Sequence, residues 1–348
     1  MKTSKLGRTE IEVPILCLGT MTFGTQTPED EAHAQIDMAL EAGVHFLDTA
    51  EMYPVNPVTA DTQGDSERVI GNWIAKTGRR SDITVATKHS GNGLAHIRGG
   101  GDITSASIPE AIEGSLKRLQ TDYIDLYQFH WPNRGSYAFR QNWHFTPSAT
   151  QDKAATRQHM ADALGALQMA VDAGKIRAFG LSNESAWGTA QWARLSEEGH
   201  GPRVATIQNE YSLLHRLYDT DLAEVSHHED VGLLAFSPLA TGLLTGKYQG
   251  DVIPDGTRRA VTPKLGGRVT QRVFPAVDAY LAIAQKHGLN PAQMAVAWTC
   301  MRPFMASSII GATRLEQLPD LLAAGEMTLP DEVLQDIDAA HMAHPMPF

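Results

Sequence analysis

The chain contains the stretch Ile124-Asp125-Leu126-Tyr127-Gln128-Phe129-His130, which is mostly apolar and ends on a polar residue. A short apolar run with a polar carboxyl end is typical of a strand buried on both faces of a parallel sheet. The amphipathic segment Pro109–Leu119 precedes it and the amphipathic segment Gln158–Ala173 follows it. A strand between two helices in this way predicts a repeating strand–helix fold of the α/β class.

The same pattern recurs along the whole chain. Seven further runs are Ile15–Gly19, Val44–Asp48, Ile83–Lys88, Ile176–Ser182, Val204–Gln208, Gly232–Ser237 and Ala306–Gly311. Further helices are predicted at Glu29–Ala42, Ser66–Lys76, Ser185–Leu195 and Gln271–His287. Eight strand–helix units favour a TIM (β/α)8 barrel, with a long doubly wound sheet as the alternative. No linker or change of composition divides the chain, so we expect one barrel domain over residues 1–348.

Four segments outside the repeating strand–helix units predict additional features of the barrel. Leu6-Gly7-Arg8-Thr9 precedes the first barrel strand and predicts the turn of an N-terminal β-hairpin at the bottom of the barrel. Pro54–Gly64, Pro132–Lys153 and Leu239–Arg268 are longer than ordinary loops, and each follows a predicted strand. In a barrel all three lie at the C-terminal mouth, where long loops usually bind ligands.

Charge and composition exclude several classes of protein. The 348 residues carry 29 Lys and Arg against 40 Asp and Glu, a net charge of −11, which argues against a nucleic-acid partner. No apolar run approaches the roughly 20 residues of a membrane helix, and the first residues lack the apolar core of a signal peptide. Cys17 and Cys300 lie in apolar stretches, which favours buried thiols in a reducing compartment. We therefore expect a cytoplasmic protein with no membrane partner.

Familiar short motifs are incomplete in this chain. Gly91-Asn92-Gly93 lacks the third glycine of a dinucleotide fingerprint, and Gly246-Lys247 lacks the flanking residues of a P-loop. Gly180-Leu181-Ser182-Asn183-Glu184 lacks the final glycine of a nucleophile elbow. His227-His228-Glu229-Asp230 predicts a solvated helix end rather than a metal site, because sequence neighbours do not share a helix face. We predict no metal ligands.

Ionisable residues stand at the carboxyl ends of three consecutive predicted strands. Asp48 ends the second strand, Lys88 ends the third and His130 ends the fourth, while Tyr53 follows Asp48 by five residues. Because the carboxyl ends of barrel strands meet at one face, we expect these four side chains to lie together at the mouth.

Such a group suits the protonation of an oxyanion as it forms. The ordinary pKa of Tyr53 is near 10, and an adjacent Lys88 ammonium would favour the phenolate and ease proton release. Asp48 would hold Lys88 charged, and His130 would donate a hydrogen bond to a carbonyl oxygen. No side chain delivers hydride, so a nicotinamide cofactor would have to supply it.

These residues resemble the catalytic tetrad of the aldo-keto reductases, NADPH-dependent carbonyl reductases built on a TIM barrel. The similarity runs from Leu16-Cys17-Leu18-Gly19-Thr20-Met21-Thr22-Phe23-Gly24 to Gly311-Ala312-Thr313, most of the chain. Glu51-Met52-Tyr53-Pro54 and His130-Trp131-Pro132 are similar to the bacterial Tas-type members in particular. The resemblance implies reduction of aldehydes or ketones, with the tetrad as catalytic residues and its tyrosine as the proton donor.

The resemblance also implies a set of cofactor-binding residues on five segments. They are Thr20, Met21 and Asp48; Ser182 and Asn183; Gln208 and Tyr211; Phe236, Ser237, Pro238, Leu239, Ala240, Gly242 and Lys247; and Gly311, Thr313, Arg314 and Gln317. The second and third segments would hold the nicotinamide carboxamide, with Tyr211 lining its stacking face. The fourth would hold the pyrophosphate, since small residues let the backbone approach a dianion and Lys247 supplies charge.

The adenosine end departs from the family pattern. Arg314 would pair with a 2′-phosphate, with Thr313 donating to that phosphate and Gln317 approaching the adenosine. Where the family continues with an acidic residue and Asn, this chain has Pro319-Asp320-Leu321, and Leu321 has no amide to contact adenine. NADPH is the expected cofactor on the strength of Arg314.

Apolar and aromatic residues on the loops favour a small carbonyl substrate with aromatic or short aliphatic groups. They are Met21, Phe23, Met52, Tyr53, Trp131, Tyr137, Phe139, Trp143 and Phe145. Arg134 and Arg140 would meet a carboxylate or phosphate, or face water. The runner-up function is an NADP(H)-binding, redox-sensing regulatory subunit with little turnover. A metal-dependent hydrolase is disfavoured, because the first strand carries no paired His. We expect a monomer or a weak homo-oligomer.

Overall fold

The computed structural model describes residues 1–147 and 151–348. Its strands are β1 (Thr3–Lys5), β2 (Glu12–Pro14), β3 (Leu16–Gly19), β4 (Phe46–Asp48), β5 (Thr84–His89), β6 (Ile124–Phe129), β7 (Ile176–Ser182), β8 (Val204–Glu210), β9 (Gly232–Phe236) and β10 (Met305–Ile310). Its helices are α1 (Glu29–Glu41), α2 (Asp65–Thr77), α3 (Ser107–Leu119), α4 (Lys153–Asp172), α5 (Ala186–Glu197), α6 (Asp221–Glu229), α7 (Arg258–Val261), α8 (Val273–Lys286), α9 (Pro291–Cys300), α10 (Leu318–Ala324) and α11 (Asp331–Ala343).

Strands β3 to β10 form a closed parallel barrel, which confirms the predicted TIM (β/α)8 architecture. Each strand pairs with its sequence neighbour, and β10 closes on β3 through Ser308 opposite Leu16 and Ile310 opposite Leu18. Every residue of β5 and β6 is buried, as expected for strands covered by side chains inside and helices outside. Burying one Val, Leu or Ile side chain contributes roughly 1.5–3 kcal/mol, so this double-sided core provides most of the stability.

Some element boundaries differ from the expected ones for identifiable reasons. Helix α4 begins at Lys153 rather than Gln158, because Asp152 caps it by accepting hydrogen bonds from the backbone N–H groups of Ala154 and Ala155. Strand β8 extends beyond Gln208, since its next two residues still pair with β9.

The N-terminal hairpin closes the bottom of the barrel, as predicted. Strands β1 and β2 are antiparallel, and Leu6 at their turn is completely buried against the lowest barrel residues, among them Cys17 and Phe46. Gly7 adopts a φ of +56°, and a Cβ atom there would lie 2.7 Å from the carbonyl oxygen of Ala205. Only glycine fits this turn against the barrel floor.

The three long segments all emerge at the opposite end, the C-terminal mouth, where they surround the strand ends. They connect β4 to α2, β6 to α4 and β9 to α8. In the part of the chain that the structure describes, no helix is both long enough and apolar enough to cross a membrane.

Candidate active site

The register of the barrel brings the predicted tetrad together. Asp48 is the last residue of β4, Lys88 is the penultimate residue of β5, and His130 directly follows β6. Strand β5 lies between the other two, with Ala86 paired to Asp48 and Lys88 paired to Gln128. The three side chains therefore occupy adjacent positions on the mouth of the barrel.

Asp48 and Lys88 form a buried ion pair. Lys88 Nζ donates hydrogen bonds to Asp48 Oδ2 at 2.7 Å and to the carbonyl oxygen of Thr49 at 2.6 Å, and the lysine is fully buried. The second carboxylate oxygen accepts from Gln208 Nε2 at 2.7 Å and from Gln128 Nε2 at 3.3 Å. Burial opposes the lysine charge, but the Asp48 carboxylate and Tyr53 together raise the pKa of Lys88 above its ordinary value, so the ammonium persists.

Tyr53 lies above this pair. Lys88 Nζ is 4.9 Å from the centroid of the Tyr53 ring, and the rings of Tyr53 and His130 meet edge to face with centroids 5.7 Å apart. Burial raises the pKa of Tyr53 above its ordinary value, although Lys88 acts to lower it. We expected the lysine to prevail; instead the loss of hydration dominates, so Tyr53 keeps its proton near neutrality.

His130 is neutral at the pH of the cell. Burial and the Lys88 charge hold the pKa of His130 well below its ordinary value. Its Nδ1 is buried and has no hydrogen-bond partner among the described residues. A neutral imidazole carries one N–H, which suffices to donate to a carbonyl oxygen without competing for the proton of Tyr53.

Residues expected to hold a carboxamide lie directly beside the tetrad. Asn183 has a φ of +53°, and its Nδ2 donates to the carbonyl oxygen of His130 at 2.9 Å. Ser182 Oγ donates to the carbonyl oxygen of Gln208 at 2.8 Å. Because Gln208 also donates to Asp48, one hydrogen-bonded network joins the ends of β4, β7 and β8.

The two early residues of the predicted set are also at the mouth. The backbone N–H and the hydroxyl of Thr20 both donate to the carbonyl oxygen of Asp48, at 3.0 and 2.9 Å. The carbonyl oxygen of Met21 accepts from Val55 N at 3.0 Å. These hydrogen bonds hold residues 20 and 21 against the backbone of Asp48 and Val55.

The structure places Tyr211 elsewhere. Its ring is completely buried, stacks on Trp298 at 5.3 Å and meets Phe304 edge to face, while its hydroxyl donates to Asp219. No face of this ring is free for a nicotinamide. Strand periodicity does not show on which side of the barrel a residue just beyond a strand end will pack.

The segment predicted to bind pyrophosphate has an unusual backbone. Ser237, Ala240, Thr241 and Gly242 all have φ between +47° and +93°. Three of these residues are consecutive, and the N–H groups of Ala240 and Gly242 donate to the carbonyl oxygens of Ser237 and Leu239, at 2.8 and 2.9 Å, so the segment turns tightly on itself. A Cβ at Gly242 would lie 2.9 Å from Cε of Lys247, whose side chain is exposed.

The rest of this predicted set lies on the same stretch. Phe236 ends β9, Pro238 and Ala240 are buried, and Leu239 is half-buried against the main core.

The predicted adenosine site is largely exposed. Gly311 and Arg314 are exposed, and Arg314 lies 3.8 Å from Glu316. Thr313 donates to the side-chain oxygen of Gln317 through both its N–H, at 3.2 Å, and its hydroxyl, at 3.4 Å. Leu321 is buried in the main apolar core and is not part of this exposed surface.

A carboxylate that the sequence did not indicate lies at the same end. Glu31 Oε1 accepts from the backbone N–H of Leu315 at 2.7 Å, so it occupies one amide donor of the turn that follows β10. A residue of α1 reaches this turn only because β3 and β10 are neighbours in the closed barrel.

Sequence analysis also missed Arg258. This residue begins α7 in the 239–268 segment, its Nε is buried, and within the described residues it has no hydrogen-bond or ion-pair partner. Burial and the nearby Arg268 lower the pKa of Arg258 to about 10, and Tyr53 is among the groups that act on it. A buried guanidinium without an anion is costly. Arg258 is one of two adjacent arginines in a long loop, and no sequence motif around it indicates a functional residue.

Arg134 and Arg140 are paired inside the protein rather than free. Arg134 forms a bidentate pair with Glu184, and Arg140 donates to Glu210 at 2.6 Å. Arg268 donates to the other oxygen of Glu210 at 2.6 Å. Burial would raise the pKa of Glu210, but Arg268 and Arg140 lower it to about 2. One carboxylate thus joins two of the long mouth segments.

The apolar residues near Tyr53 divide into a wall and a core. Met52, Leu94, Ile97 and Trp131 pack together with Tyr53. Of the residues predicted at the mouth, Phe139 and Trp143 are exposed, Met21, Tyr137 and Phe145 are half-buried, and Phe23 is completely buried. Phe23 therefore belongs to the core rather than to a substrate pocket.

The polar run at His227 is a solvated helix end, as predicted. His227 and His228 are exposed at the end of α6. Within residues 1–147 and 151–348, no three His, Cys, Asp or Glu side chains converge as metal ligands.

Comparisons with known proteins agree with this geometry. The profile of the aldo/keto reductase family matches residues 15–341. The chain is 42% identical over 351 residues to "Protein tas" of Escherichia coli (strain K12), covering 100% of this chain and 99% of the relative. It is 32% identical over 342 residues to "Uncharacterized oxidoreductase YrpG" of Bacillus subtilis, covering 96% and 94%. It is 31% identical over 336 residues to "Probable voltage-gated potassium channel subunit beta" of Arabidopsis thaliana, covering 93% and 91%.

Proposed function

Because the chain belongs to the aldo/keto reductase family and is an oxidoreductase on that ground, we propose that it reduces aldehydes or ketones to alcohols with NADPH, using Tyr53 as the proton donor. The observation that carries the proposal is the placement of protonated Tyr53 over the buried Asp48–Lys88 pair, beside a neutral His130. This arrangement supplies a proton and stabilises the charge left behind.

Residues at the mouth fit a dinucleotide with phosphate groups. Lys247 is exposed beside the tight turn of residues 237–242 and would supply positive charge to a phosphate there. Arg258 is half-buried, its Nε is buried without a hydrogen-bond partner among the described residues, and a phosphate would provide an anion for it. Ser182, Asn183 and Gln208 would hold the carboxamide.

At the other end, Arg314 would pair with a 2′-phosphate. Thr313 and Gln317 would lie beside it, and Gly311 would let the chain approach closely. Tyr211 is left out of the proposed site, since its ring is buried in the core.

The chain's own residues perform the proton half of the reaction. A nicotinamide held by Ser182, Asn183 and Gln208 would supply the hydride for the carbonyl carbon. His130 donates a hydrogen bond to the carbonyl oxygen and fixes its position. Tyr53 transfers its phenolic proton to that oxygen, so that the carbonyl gains one hydride and one proton and becomes an alcohol. Lys88 stabilises the phenolate, and Asp48 keeps Lys88 in place.

The surroundings favour a small apolar carbonyl compound. Met52, Ile97 and Trp131 present an apolar wall beside Tyr53 and exclude water from one side of the reacting group. Exposed Phe139, whose ring meets Trp131 edge to face with centroids 6.3 Å apart, extends this surface outward. We infer that aldehydes and ketones with aromatic or short aliphatic groups are accepted.

Titration of the purified protein with NADPH and, separately, NADH tests the proposal. Quenching of the intrinsic aromatic fluorescence at low nucleotide concentration is expected, with tighter binding of NADPH. A panel of aromatic and aliphatic aldehydes then tests turnover by the loss of NADPH absorbance. Absence of a response to either nucleotide removes the source of hydride and contradicts the proposal.

A second candidate is an NADP(H)-binding, redox-sensing regulatory subunit with little turnover. A relative covering most of this chain carries the name of a potassium channel subunit, which is the observation that favours it. The complete tetrad favours the enzyme, because binding alone does not require Tyr53 and Lys88 together. Tight NADPH binding without turnover on any carbonyl of the panel would favour the subunit.

The wider setting is also part of the proposal. Cys17 and Cys300 are free thiols, Cys17 fully buried, which suits a reducing compartment such as the cytoplasm. The substrate is a small molecule, with no nucleic acid or membrane as partner. We propose a monomer or a weak homo-oligomer built from one barrel domain.

A further inference from the structure

Glu51 is a buried carboxylate in the segment that carries Tyr53. It lies between Asp48 and Tyr53 in sequence and is only 1% exposed. Its Oε1 accepts from the backbone N–H of Ser90 at 2.5 Å, and Arg98 donates to its two oxygens at 2.5 and 2.6 Å. Such a carboxylate, held by an amide and a bidentate guanidinium, is fixed in position.

The contacts of Glu51 fasten the Tyr53 segment to the strand that carries Lys88. Ser90 follows Lys88 by two residues, just past the end of β5. The backbone N–H of Glu51 donates to the carbonyl oxygen of Lys88 at 3.3 Å, and Gln63 Nε2 donates to the carbonyl oxygen of Glu51 at 2.6 Å. The distance between the Tyr53 ring and the Lys88 ammonium therefore depends on this residue.

Arg98 extends the same contact to a loop at the mouth. Residues 91–103 form most of the loop between β5 and α3, and Ile97 and Leu94 from this loop pack with Met52 and Tyr53. Trp131 Nε1 also donates to the carbonyl oxygen of Asn92 in this loop, at 3.2 Å. The Glu51–Arg98 pair thus holds one wall of the proposed substrate pocket against the proton donor.

The charge on Glu51 is maintained by Arg98. Burial would raise the pKa of Glu51, but the Arg98 guanidinium lowers it below the ordinary value. His89 lies beside it with Nδ1 at 3.8 Å, and burial keeps His89 neutral by lowering its pKa to about 4. Tyr127 also faces this group, and burial together with the Glu51 charge raises the pKa of Tyr127, which keeps it protonated. Substituting the carboxylate leaves Arg98 without its anion and loosens both segments.

We propose that Glu51 is a positioning residue of the reaction: through Ser90 and Arg98 it holds Tyr53 over Lys88 and holds residues 91–103 against the Tyr53 ring. It touches neither the substrate nor the cofactor. The inference rests on the proposed function, because it assumes that Tyr53 is the proton donor.

The chain offers a matched control in a second buried pair. Glu67 is completely buried, its Oε2 accepts from Arg118 Nε at 2.6 Å, and its Oε1 accepts from Thr87 Oγ1 at 2.6 Å. Glu67 and Arg118 lie on α2 and α3, and among the described residues neither side chain makes a hydrogen bond or an ion pair with residues 49–53 or 91–103. Loss of either carboxylate breaks a buried ion pair, but only one of them holds the proton donor.

The experiment compares Glu51→Gln with Glu67→Gln. Both are expected to lower the unfolding temperature, since both break a buried pair. Only Glu51→Gln is expected to lower kcat, by roughly 10- to 100-fold, because small displacements of a reacting group have effects of this size. The NADPH dissociation constant of Glu51→Gln is expected to stay unchanged. Its solvent deuterium isotope effect on kcat is expected to increase, because proton transfer becomes slower. Glu51→Asp, which keeps the charge, recovers most of the loss.

Hydrogen exchange of the nucleotide-free protein gives a readout independent of turnover. Exchange in residues 49–53 and 91–103 is expected to accelerate in Glu51→Gln and not in Glu67→Gln. If Glu51→Gln does not fold, Arg98→Gln replaces it. Arg98→Gln keeps the contact with Ser90 and is expected to show a smaller loss of kcat together with a raised KM for the carbonyl compound.

The outcomes separate this inference from the proposed function. Equal kcat values in the two glutamine variants, with an active parent enzyme, overturn the positioning role alone. An inactive parent, or a fully active Tyr53→Phe variant, contradicts the proposed function instead.

Discussion

Lys88 Nζ lies 2.7 Å from Asp48 Oδ2 and 4.9 Å from the centroid of the Tyr53 ring. One ammonium group thus lies between the Asp48 carboxylate and a phenol that becomes an anion only when it loses its proton. The carboxylate keeps the lysine charged in the resting protein, and the lysine is then ready to stabilise the phenolate. Each of the three side chains has a separate and measurable task.

Tyr53→Phe is expected to abolish carbonyl reduction while leaving NADPH binding nearly intact. The substitution removes the only phenolic proton beside Lys88 in the described site, and such a proton donor contributes roughly 10²- to 10⁴-fold to the rate. Steady-state kinetics and a fluorescence titration measure the two effects. Tyr123→Phe, on the outer side next to Arg80, serves as the control. Loss of nucleotide binding in Tyr53→Phe would show that Tyr53 holds the cofactor instead.

Lys88→Met is expected to destabilise the fold by about 3–5 kcal/mol, because it leaves the Asp48 carboxylate buried without its cation. Denaturant unfolding measures the loss. Adding Asp48→Asn to Lys88→Met removes that unpaired charge, so the double variant is expected to be more stable than Lys88→Met alone. If the losses in the free energy of unfolding from the two substitutions simply add in the double variant, the coupling between Asp48 and Lys88 is contradicted.

Arg314→Ala is expected to raise the KM for NADPH by roughly 10-fold, the size of one lost charge-assisted hydrogen bond, and to leave the KM for NADH almost unchanged. The exposed side chain of Arg314 lies at the proposed 2′-phosphate site. Arg157→Ala, an exposed change on α4, controls for the general loss of positive charge. Equal effects of Arg314→Ala on both nucleotides would place the 2′-phosphate elsewhere.

Arg258→Met is expected to weaken the binding of NADPH and NADH alike, because a pyrophosphate is common to both. The nucleotide-free variant should be at least as stable as the parent, since it no longer encloses an Nε atom that has no hydrogen-bond partner among the described residues. Thermal unfolding with and without NADPH measures both effects. A variant that binds both nucleotides normally would exclude Arg258 from the phosphate site.

Acid is expected to destabilise the protein between about pH 6.5 and pH 4, in part through His89. Burial lowers the pKa of His89 to about 4, whereas the unfolded residue titrates near 6.5. Below pH 6.5 the unfolded chain takes up a proton that the folded chain does not, so stability falls until the folded pKa is reached. This difference amounts to at most roughly 3 kcal/mol.

Unfolding measured across this pH range tests the role of His89. His89→Gln is expected to flatten the dependence, while His227→Gln, at an exposed position, leaves its slope unchanged. An equally steep slope in His89→Gln would assign the acid sensitivity to other groups.

The barrel and its tetrad were predictable because both depend on regular repeats. Parallel strands buried on both faces have a distinctive apolar pattern, and a closed barrel brings their carboxyl ends together. That rule predicts directly that the side chains of Asp48, Lys88 and His130 lie close together. The hairpin at the bottom of the barrel was equally predictable, because the turn that contains Gly7 is visible in the sequence.

The parts that sequence did not reveal depend on contacts between distant segments. Glu210 pairs with Arg140 and Arg268 from two separate loops, and no pattern in the sequence links them. The burial of Tyr211 and the unpaired Arg258 likewise follow from packing beyond the strand ends, where periodicity stops. The pKa of Tyr53 was misjudged because only the folded chain shows how much water its ring loses.

The hairpin at the bottom of the barrel determines at which end small molecules can enter. With Leu6 buried beneath the lowest layer of barrel side chains, that end offers no passage. In the proposed reaction, nucleotide, carbonyl compound and alcohol would therefore all enter and leave at the C-terminal mouth. The departing alcohol and the next carbonyl compound would then compete for the same opening.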